Sequence, residues 1–325
     1  MSGPPLWNYN LAGRIWRGQR KDSVVKHILA VDQFERPWLE SLFTEADRMR
    51  DLPRDAEPLR GKILATIFYE PSSRTRLSFE SAMMRLGGNV ISTENASEFS
   101  SAIKGETVED TMRMVSGYAD AIAIRHFEEG AIARAVTVSD VPILNAGDGP
   151  GEHPTQALLD LYTIHHEIGR IDDIHIAMVG DLKYGRTVRS LSLLLRQTNN
   201  CHITFVAPNA VRMRDDIKDA LDAAGVHWQE ESDLHAAMEN ADVVYQTRIQ
   251  KERFDSESDY EAVKGTYVID AEAMTHLPAH AIVMHPLPRV DEIATEVDTD
   301  PRAAYFRQAR NGVFVRMALL NQLLG

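Results

Sequence analysis

The chain is almost free of cysteine, because Cys201 is the single one among its 325 residues. One cysteine forms no internal disulfide and no multi-cysteine metal site. Since disulfides are typical of oxidising compartments, this scarcity predicts a cytoplasmic protein. Cys201 comes just before an apolar run, so we expect it in a strand.

Long apolar runs are missing as well, and the sequence predicts no secretory leader. No run approaches the length of about 20 residues that a membrane-spanning helix needs. The N-terminal residues lack the charged-then-apolar layout of a secretory signal. Residues 1–20 contain glycine, proline and arginine without clear periodicity, so we expect a loose extension there.

Positive charge is in deficit. Lysine and arginine total 35 against 48 aspartates and glutamates, which gives a net charge of −13. That excess disfavours nucleic acid and anionic membranes as partners. Small anionic substrates stay compatible with it, because they respond to local arginines rather than to the overall charge.

The length favours two domains, and apolar runs alternate with helical patterns in two successive sets. Such alternation predicts two doubly wound α/β domains with parallel sheets. We expect the first domain over residues 1–152 and the second over 153–302, with a last helix over 303–325 packing back on the first. The predicted strands cover residues 63–69, 89–92, 121–125 and 141–145, then 174–179, 202–206, 226–229, 243–247, 267–269 and 282–284. Ligands of such sheets bind beyond the carboxyl ends of the strands, so we expect a site in the cleft between the domains.

Residues 68–76 connect a predicted strand to a predicted helix and combine hydroxyl and basic side chains. Ser72 or Ser73 is a candidate N-cap. A helix N-terminus with nearby hydroxyls and a guanidinium suits a phosphate or a carboxylate. An ordinary capped helix with solvated Arg74 and Arg76 explains the same pattern, since capping serines are common.

The string Glu-Pro-Ser-Ser-Arg-Thr-Arg-Leu-Ser-Phe-Glu over residues 70–80 resembles the carbamoyl-phosphate signature of the aspartate and ornithine carbamoyltransferases. Ser73 stands where threonine is common in that family, and it keeps the hydroxyl group. The resemblance implies that Ser72, Ser73, Arg74 and Thr75 hold the phosphate of carbamoyl phosphate. It also implies that Thr75 helps to polarise the carbamoyl carbonyl.

Two further strand ends carry strings of the same family. Arg125 ends a predicted strand, where most arginines are merely solvated; the resemblance places it against the acyl oxygen and the phosphate. The string His-Pro-Thr-Gln over residues 153–156 begins the helix between the domains, where a lone histidine is ordinarily a surface or capping residue. By resemblance, His153 donates to the carbonyl oxygen and Gln156 contacts the carbamoyl amine.

The second domain offers candidate contacts to a dicarboxylate. Residues 180–187 follow a predicted strand, but Gly180 and Gly185 do not make the G-x-G-x-x-G nucleotide fingerprint. By resemblance Arg186 instead contacts an aspartate carboxylate. By pattern alone, the charged segment 245–253 is predicted to be a solvated loop. The resemblance instead implies that Arg248 and Gln250 hold the side-chain carboxylate of the substrate. Residues 254–260 depart from the family pattern by about one extra position, which leaves the role of this loop unchanged.

The string His-Pro-Leu-Pro-Arg over residues 285–289 predicts a rigid turn, because its two prolines disfavour a helix. By resemblance, Leu287 and Pro288 belong to the substrate site, and the carbonyls near Pro286 and Leu287 face the reacting amine. The resemblance also leads us to expect a cis bond between Leu287 and Pro288. The ornithine enzymes carry a cysteine here. The chain therefore resembles the aspartate branch.

Ser100 and Lys104 lie in a polar loop, where a lysine is ordinarily solvated. In the aspartate branch the matching residues reach into the active site of a neighbouring subunit. The resemblance therefore implies a homotrimer with shared active sites.

Such motifs occur in family order between residues 26 and 325. The resemblance implies a carbamoyltransferase that transfers the carbamoyl group of carbamoyl phosphate to the amine of L-aspartate, an early step of pyrimidine synthesis, without metal or organic cofactor. Its catalytic residues are then Arg74, Thr75, Lys104, Arg125 and His153. Three alternatives stay open: a transcarbamoylase for ornithine or another amine, a nucleotide-dependent oxidoreductase, and a non-catalytic subunit. Regulatory chains or a dihydroorotase-type partner are compatible with the sequence.

Overall fold

The computed structural model describes residues 26–96, 105–249, 260–261 and 265–325. Three of the candidate site residues, Ser100, Lys104 and Gln250, lie outside these ranges, as do the N-terminal extension and most of the segment after Arg248. The elements below belong to the described residues.

The first half of the chain forms a four-stranded parallel sheet in the order β2-β1-β3-β4. Helix α1 (Arg36–Arg50) precedes this sheet. The strands are β1 (Ile63–Phe68), β2 (Asn89–Glu94), β3 (Ala121–His126) and β4 (Ile143–Asp148), and the helices between them are α2 (Ser73–Arg85), α3 (Val108–Ser116) and α4 (Ala131–Val138).

The second half forms a five-stranded parallel sheet in the order β7-β6-β5-β8-β9. Helix α5 (Pro154–Ile168) leads from the first sheet to the second. The strands are β5 (His175–Val179), β6 (His202–Val206), β7 (His227–Glu231), β8 (Val243–Gln246) and β9 (Ile282–Met284), and the helices are α6 (Arg186–Leu194), α7 (Asp215–Ala223), α8 (Leu234–Met238), α9 (Ala273–His276) and α10 (Tyr305–Leu324).

The central strands are apolar along their whole length because helices cover both faces of each sheet. In β1, Leu64 and Phe68 join one hydrophobic cluster, while Ala65 and Ile67 join another on the opposite face. Successive strand residues point to opposite faces, so a strand covered on both sides needs an unbroken apolar run. This is the reason the strands were recognisable in the sequence.

One hydrophobic cluster continues from the first sheet to the second through helices α5 and α10. Helix α10 packs against α1, α2 and α5. Arg50 of α1 also donates to Asn311 Oδ1 of α10 at 2.8 Å. The two halves therefore share apolar core rather than meeting only at a polar surface. Within the described residues, no helix combines the length and apolar character that crossing a bilayer requires.

The predicted fold class, α/β with two parallel sheets, is confirmed. The strand predicted over residues 267–269 is wrong: Ile269 pairs with Ile293 only in an isolated bridge. The apolar side chains of Tyr267 and Ile269 are instead explained by burial, since both join a hydrophobic cluster. Cys201 lies immediately before β6 rather than within it, and it is buried there.

Candidate active site

The carboxyl-terminal rims of the two sheets touch through polar side chains. Arg186 begins α6 after β5, and its Nη2 lies 3.3 Å from Oε1 of Glu70, which follows β1. Arg74, in the first turn of α2, donates through Nη2 to the carbonyl oxygen of Leu287 after β9 at 3.0 Å. The ends of β5 and β9 in the second sheet thus face the end of β1 and the start of α2 in the first sheet. These contacts define the cleft.

On the first sheet, α2 presents its N-terminus at the cleft. Ser72 occupies the N-cap position, but its hydroxyl makes no capping bond to its own helix. The first N–H groups of a helix have no intrahelical acceptor, so this turn offers N–H donors and free hydroxyls together. Ser73 and Arg74 are exposed, and Thr75 is buried. A phosphate suits such a turn.

Arg76 has a different place from Arg74, although both lie in the same motif. Its guanidinium pairs with Glu94 at 2.8 Å and with Glu80 at 3.3 Å. Both carboxylates lie on elements of the first sheet, β2 and α2. Arg76 therefore holds α2 against β2 and does not belong to the cleft.

Glu70 is the residue at the centre of the cleft that sequence reasoning missed. Its Oε1 lies 2.7 Å from Arg125 Nη2 and 3.3 Å from Arg186 Nη2. One carboxylate thereby neutralises guanidinium groups that come from two sheets. The available signal was its place at the end of β1 beside Pro71, within the motif already singled out.

Arg125 lies almost fully inside the cleft wall. Burial, together with the nearby charge of Arg186, lowers the pKa of its guanidinium to about 10. Its Nη1 donates to the carbonyl oxygen of Ala146 at 3.3 Å. Gly147 stands at φ +132°, and a Cβ there would lie 3.0 Å from Arg125 Nη1 and 3.3 Å from Arg186 Cζ. Only glycine leaves room for the two arginines side by side.

His153 occupies the N-cap position of α5 and is 3% exposed. Its backbone N–H donates to Ser190 Oγ at 3.1 Å. Burial lowers the pKa of the imidazole well below its ordinary value, and Arg186 and Arg125 add to that effect. The ring is therefore neutral and carries a single N–H donor. Its Nδ1 has no hydrogen-bond partner among the described residues.

Gln156 is fixed by a buried carboxylate one turn further along α5. Its Nε2 donates to Asp160 Oδ1 at 2.8 Å. Tyr245 and Gln308 also donate to Asp160, at 2.7 and 2.6 Å. Burial raises the pKa of Asp160 to about 7. Because its N–H₂ group faces Asp160, the amide of Gln156 turns its oxygen the other way. No sequence pattern indicated Asp160, because it is a single carboxylate within a largely apolar helix.

Arg186 and Arg248 stand at neighbouring strand ends of the second sheet. Arg186 donates to the carbonyl oxygen of Gly149 at 2.6 Å, and Arg248 is half-buried just beyond β8. Gly180, between β5 and α6, allows these strand ends to approach, because a Cβ there would lie 2.2 Å from the carbonyl oxygen of Thr247. The close packing of these two strand ends thus explains why position 180 is a glycine.

The turn after β9 has the cis bond that the resemblance implied, between Leu287 and Pro288. Leu287 has a φ of +53°, and its carbonyl oxygen receives Arg74 as described above. The cleft therefore brings together Arg74, Arg125, His153, Arg186 and the Leu287 carbonyl. Arg248 shares the rim of the second sheet.

Comparison with known proteins gives relatives over most of the chain. An aspartate carbamoyltransferase of Arabidopsis thaliana is 58% identical over 296 residues, which are 90% of this chain and 76% of that protein. One of rice, Oryza sativa subsp. japonica, is 56% identical over 306 residues, 91% of this chain and 84% of the relative. The crystal structure of Trypanosoma cruzi aspartate transcarbamoylase with carbamoyl phosphate and aspartate is 44% identical, covers 92% of this chain and 96% of its own, and has a TM-score of 0.86.

The two plant relatives are named chloroplastic. They contradict the cytoplasmic location predicted from the sequence, and that prediction is wrong. Its reasoning failed because a scarcity of cysteine indicates only that disulfides are not needed. More than one cellular compartment meets that condition.

Two family models together match nearly all of the described chain. Residues 26–166 match the carbamoyl-P binding domain of aspartate/ornithine carbamoyltransferase, and residues 172–323 match the Asp/Orn binding domain. The boundary between the matches falls at the end of α5, where the chain passes from one sheet to the other. Both halves of the cleft are thus accounted for by one family, and the chain belongs to the aspartate/ornithine carbamoyltransferases.

Proposed function

We propose that this protein is an aspartate carbamoyltransferase, which transfers the carbamoyl group of carbamoyl phosphate to L-aspartate in pyrimidine synthesis. One observation carries the proposal: arginines from both sheets meet at Glu70 in the cleft. A phosphate and a dicarboxylate need that concentration of guanidinium groups. The relatives named aspartate carbamoyltransferase support aspartate, rather than ornithine, as the acceptor.

In this proposal each sheet receives one substrate. Residues 1–152, together with the helix over 303–325, form the carbamoyl-phosphate domain, and residues 153–302 form the aspartate domain. The two family models, one for each half of the chain, support this division. The packing of α10 against α1 and α2 supports the return of the last helix to the first domain.

Carbamoyl phosphate binds with its phosphate at the N-terminus of α2. Ser72, Ser73, Arg74 and Thr75 supply hydroxyls, N–H groups and one guanidinium, and the helix dipole favours the anion. The Ser72 hydroxyl is available for this role because it does not cap its own helix.

The carbamoyl carbonyl oxygen is polarised by Thr75, Arg125 and His153. Negative charge grows on this oxygen in the tetrahedral transition state, so fixed donors stabilise that state more than the ground state. The neutral His153 supplies one N–H donor without adding a like charge beside the arginines. Gln156 accepts from the carbamoyl amine through the amide oxygen that its bond to Asp160 turns away from the network.

Aspartate is bound by Arg186, Arg248, Gln250 and Lys104, and its amine faces the carbonyls of the Leu287–Pro288 turn. The amine attacks the carbamoyl carbon, the new C–N bond forms, and the bond from that carbon to the phosphate oxygen breaks. The departing phosphate takes the proton that the amine releases, so no protein base is needed. Holding both substrates in one cleft supplies much of the acceleration.

We also propose a homotrimer in which neighbouring subunits complete each site. The first domain exposes large apolar side chains on α2 and around α3: Leu77 is 56% exposed, Met84 67% and Tyr118 60%. The edge strand β2 lies beside α2 and exposes Ile91. Apolar surface of this kind is typical of contacts between subunits.

The assay for the proposed function uses the purified chain with carbamoyl phosphate and an amine. We expect carbamoyl-aspartate and inorganic phosphate in equal amounts with L-aspartate, and no product with ornithine, because Arg248 and Arg186 are arranged for carboxylates. Product detection by mass spectrometry decides between the acceptors. Product with ornithine instead, or none with either amine, contradicts the proposal.

Replacement of Arg74 tests the phosphate site. Arg74→Ala should lower kcat/KM by at least about 100-fold, since it removes a charged donor from both the bound and the transition state. Most of the loss should appear as weaker binding of carbamoyl phosphate, measured by titration calorimetry. The matched control is Arg85→Ala, an exposed arginine in the last turn of the same helix, which should leave activity unchanged. Full activity of Arg74→Ala would count against this site.

Replacement of Arg248 tests the aspartate site. Arg248→Ala should raise the KM for aspartate by about 10- to 100-fold, because a bidentate carboxylate contact contributes on the order of 1.5–3 kcal/mol. Binding of carbamoyl phosphate should stay as it was. Arg214→Ala, which removes an exposed pair with Asp216 on the same domain, serves as the control. An unchanged KM for aspartate excludes Arg248 from the site.

Mixing variants tests the shared sites. Lys104→Ala and Arg74→Ala should each be nearly inactive when all three subunits of the trimer carry the same substitution. When the two are co-expressed, random assembly gives about one quarter of the sites an intact Arg74 and an intact neighbouring Lys104, and activity should return accordingly. If co-expression restores nothing, or if the chain sediments as a monomer, shared sites are excluded.

A further inference from the structure

We propose that His285 and Glu292 are a positioning pair that holds the Leu287 carbonyl at the cleft. The inference rests on the proposed function, since that carbonyl faces the reacting amine there. Neither residue belongs to the set that the sequence suggested. Both are buried, His285 at 2% exposure and Glu292 at 7%.

The hydrogen bonds of His285 determine its tautomer. The backbone N–H of Leu287 donates to Nδ1 at 2.7 Å, so Nδ1 carries a lone pair. The proton of the neutral ring is therefore on Nε2, which lies 2.8 Å from Glu292 Oε1 and donates to it. Burial lowers the pKa of His285, in agreement with a neutral ring. Each nitrogen thus has one defined partner.

The second carboxylate oxygen of Glu292 binds the backbone on the other side of the Leu287–Pro288 turn. Oε2 accepts from the backbone N–H groups of Val290 and Asp291, at 3.0 and 3.2 Å. A single carboxylate therefore connects the imidazole to the far side of the turn. Burial acts to raise the pKa of Glu292, but the bonds from His285 and from backbone N–H groups outweigh it and lower the pKa. The carboxylate stays ionised as an acceptor.

Leu287 needs such support because its backbone is in an unfavourable conformation. A φ of +53° places it in the left-handed region, which is unfavourable for an L-residue with a side chain. The bond from its N–H to His285 Nδ1 holds it there. In that conformation its carbonyl oxygen accepts from Arg74 across the cleft at 3.0 Å.

The pair is also anchored to the buried network around Asp160. The backbone N–H of His285 donates to Gln308 Oε1 at 2.9 Å. Gln308 in turn donates to Asp160, which also holds Gln156. One chain of hydrogen bonds therefore connects the turn after β9 with the residue proposed to contact the carbamoyl amine. Both groups are held before substrate arrives.

Two substitutions at His285 separate its two bonds. In His285→Asn, the amide oxygen can take the place of Nδ1 and accept from Leu287. In His285→Gln, the amide nitrogen can take the place of Nε2 and donate to Glu292, but nothing accepts from Leu287. We expect His285→Asn to keep kcat within about threefold and His285→Gln to lose at least about 30-fold, because small misplacement in a site costs up to about 100-fold.

Glu292→Gln provides a variant of the same shape. It keeps one acceptor for His285 but turns an N–H₂ group towards the N–H groups of Val290 and Asp291, so kcat should fall about 10-fold. The KM for carbamoyl phosphate should change little in all three variants, because the phosphate contacts lie on α2. The control is His227→Asn, an exposed residue at the start of β7, with full activity expected.

The order of the two His285 variants decides the inference. Equal loss in both, with equal loss of thermal stability, indicates a general packing role and overturns it. Crystal structures give a readout that is independent of turnover: Leu287 should keep a positive φ in His285→Asn and lose it in His285→Gln. If the unaltered chain makes no carbamoyl-aspartate, the proposed function fails, while the φ of Leu287 in the variants still tests the positioning pair.

Discussion

Mutual repulsion among arginines is the constraint on which this cleft depends. Arg125 and Arg186 both approach Oε1 of Glu70, at 2.7 and 3.3 Å, and burial with like charge lowers the pKa of Arg125 to about 10. In a partly buried site, guanidinium ions stay this close only when a negative charge lies between them. The apolar cores beneath both rims supply the rigidity that keeps the groups in position. An anion that enters the cleft meets charges already arranged, and preorganisation of this kind is the largest electrostatic contribution to catalysis.

The fold was predictable where burial dictates sequence. Strands covered on both faces must be continuously apolar, so β1, β6 and β9 were recognised to within a residue or two. The failure at residues 267–269 has a different cause: Tyr267 and Ile269 are buried in a hydrophobic cluster, although this segment pairs only in an isolated bridge. Helix α2 buries Phe79, Ala82 and Met83 on one face, and this spacing is typical of an amphipathic helix.

Residues of the cleft were predictable where they lie in contiguous strings at strand ends. Residues that contact them from within the fold were not predictable. Arg74, Arg125 and His153 belong to the first kind. Glu292 and Asp160 belong to the second kind. The local sequence around a carboxylate in a loop or an apolar helix does not show whether that carboxylate faces water or a buried donor. Only coordinates reveal that Asp160 receives three donors. Position 147 is an intermediate case. It follows a predicted strand, but the requirement for glycine there comes from arginines on other elements.

Helix α10 has a consequence for synthesis on the ribosome. It packs on α1, and the bond from Arg50 to Asn311 joins positions 261 residues apart. While the second sheet is still being translated, the apolar side of α1 and the buried face of α2 lack the helix that covers them. During that interval Leu42 and Phe79 stay accessible to other chains, which is the condition in which partly folded chains aggregate.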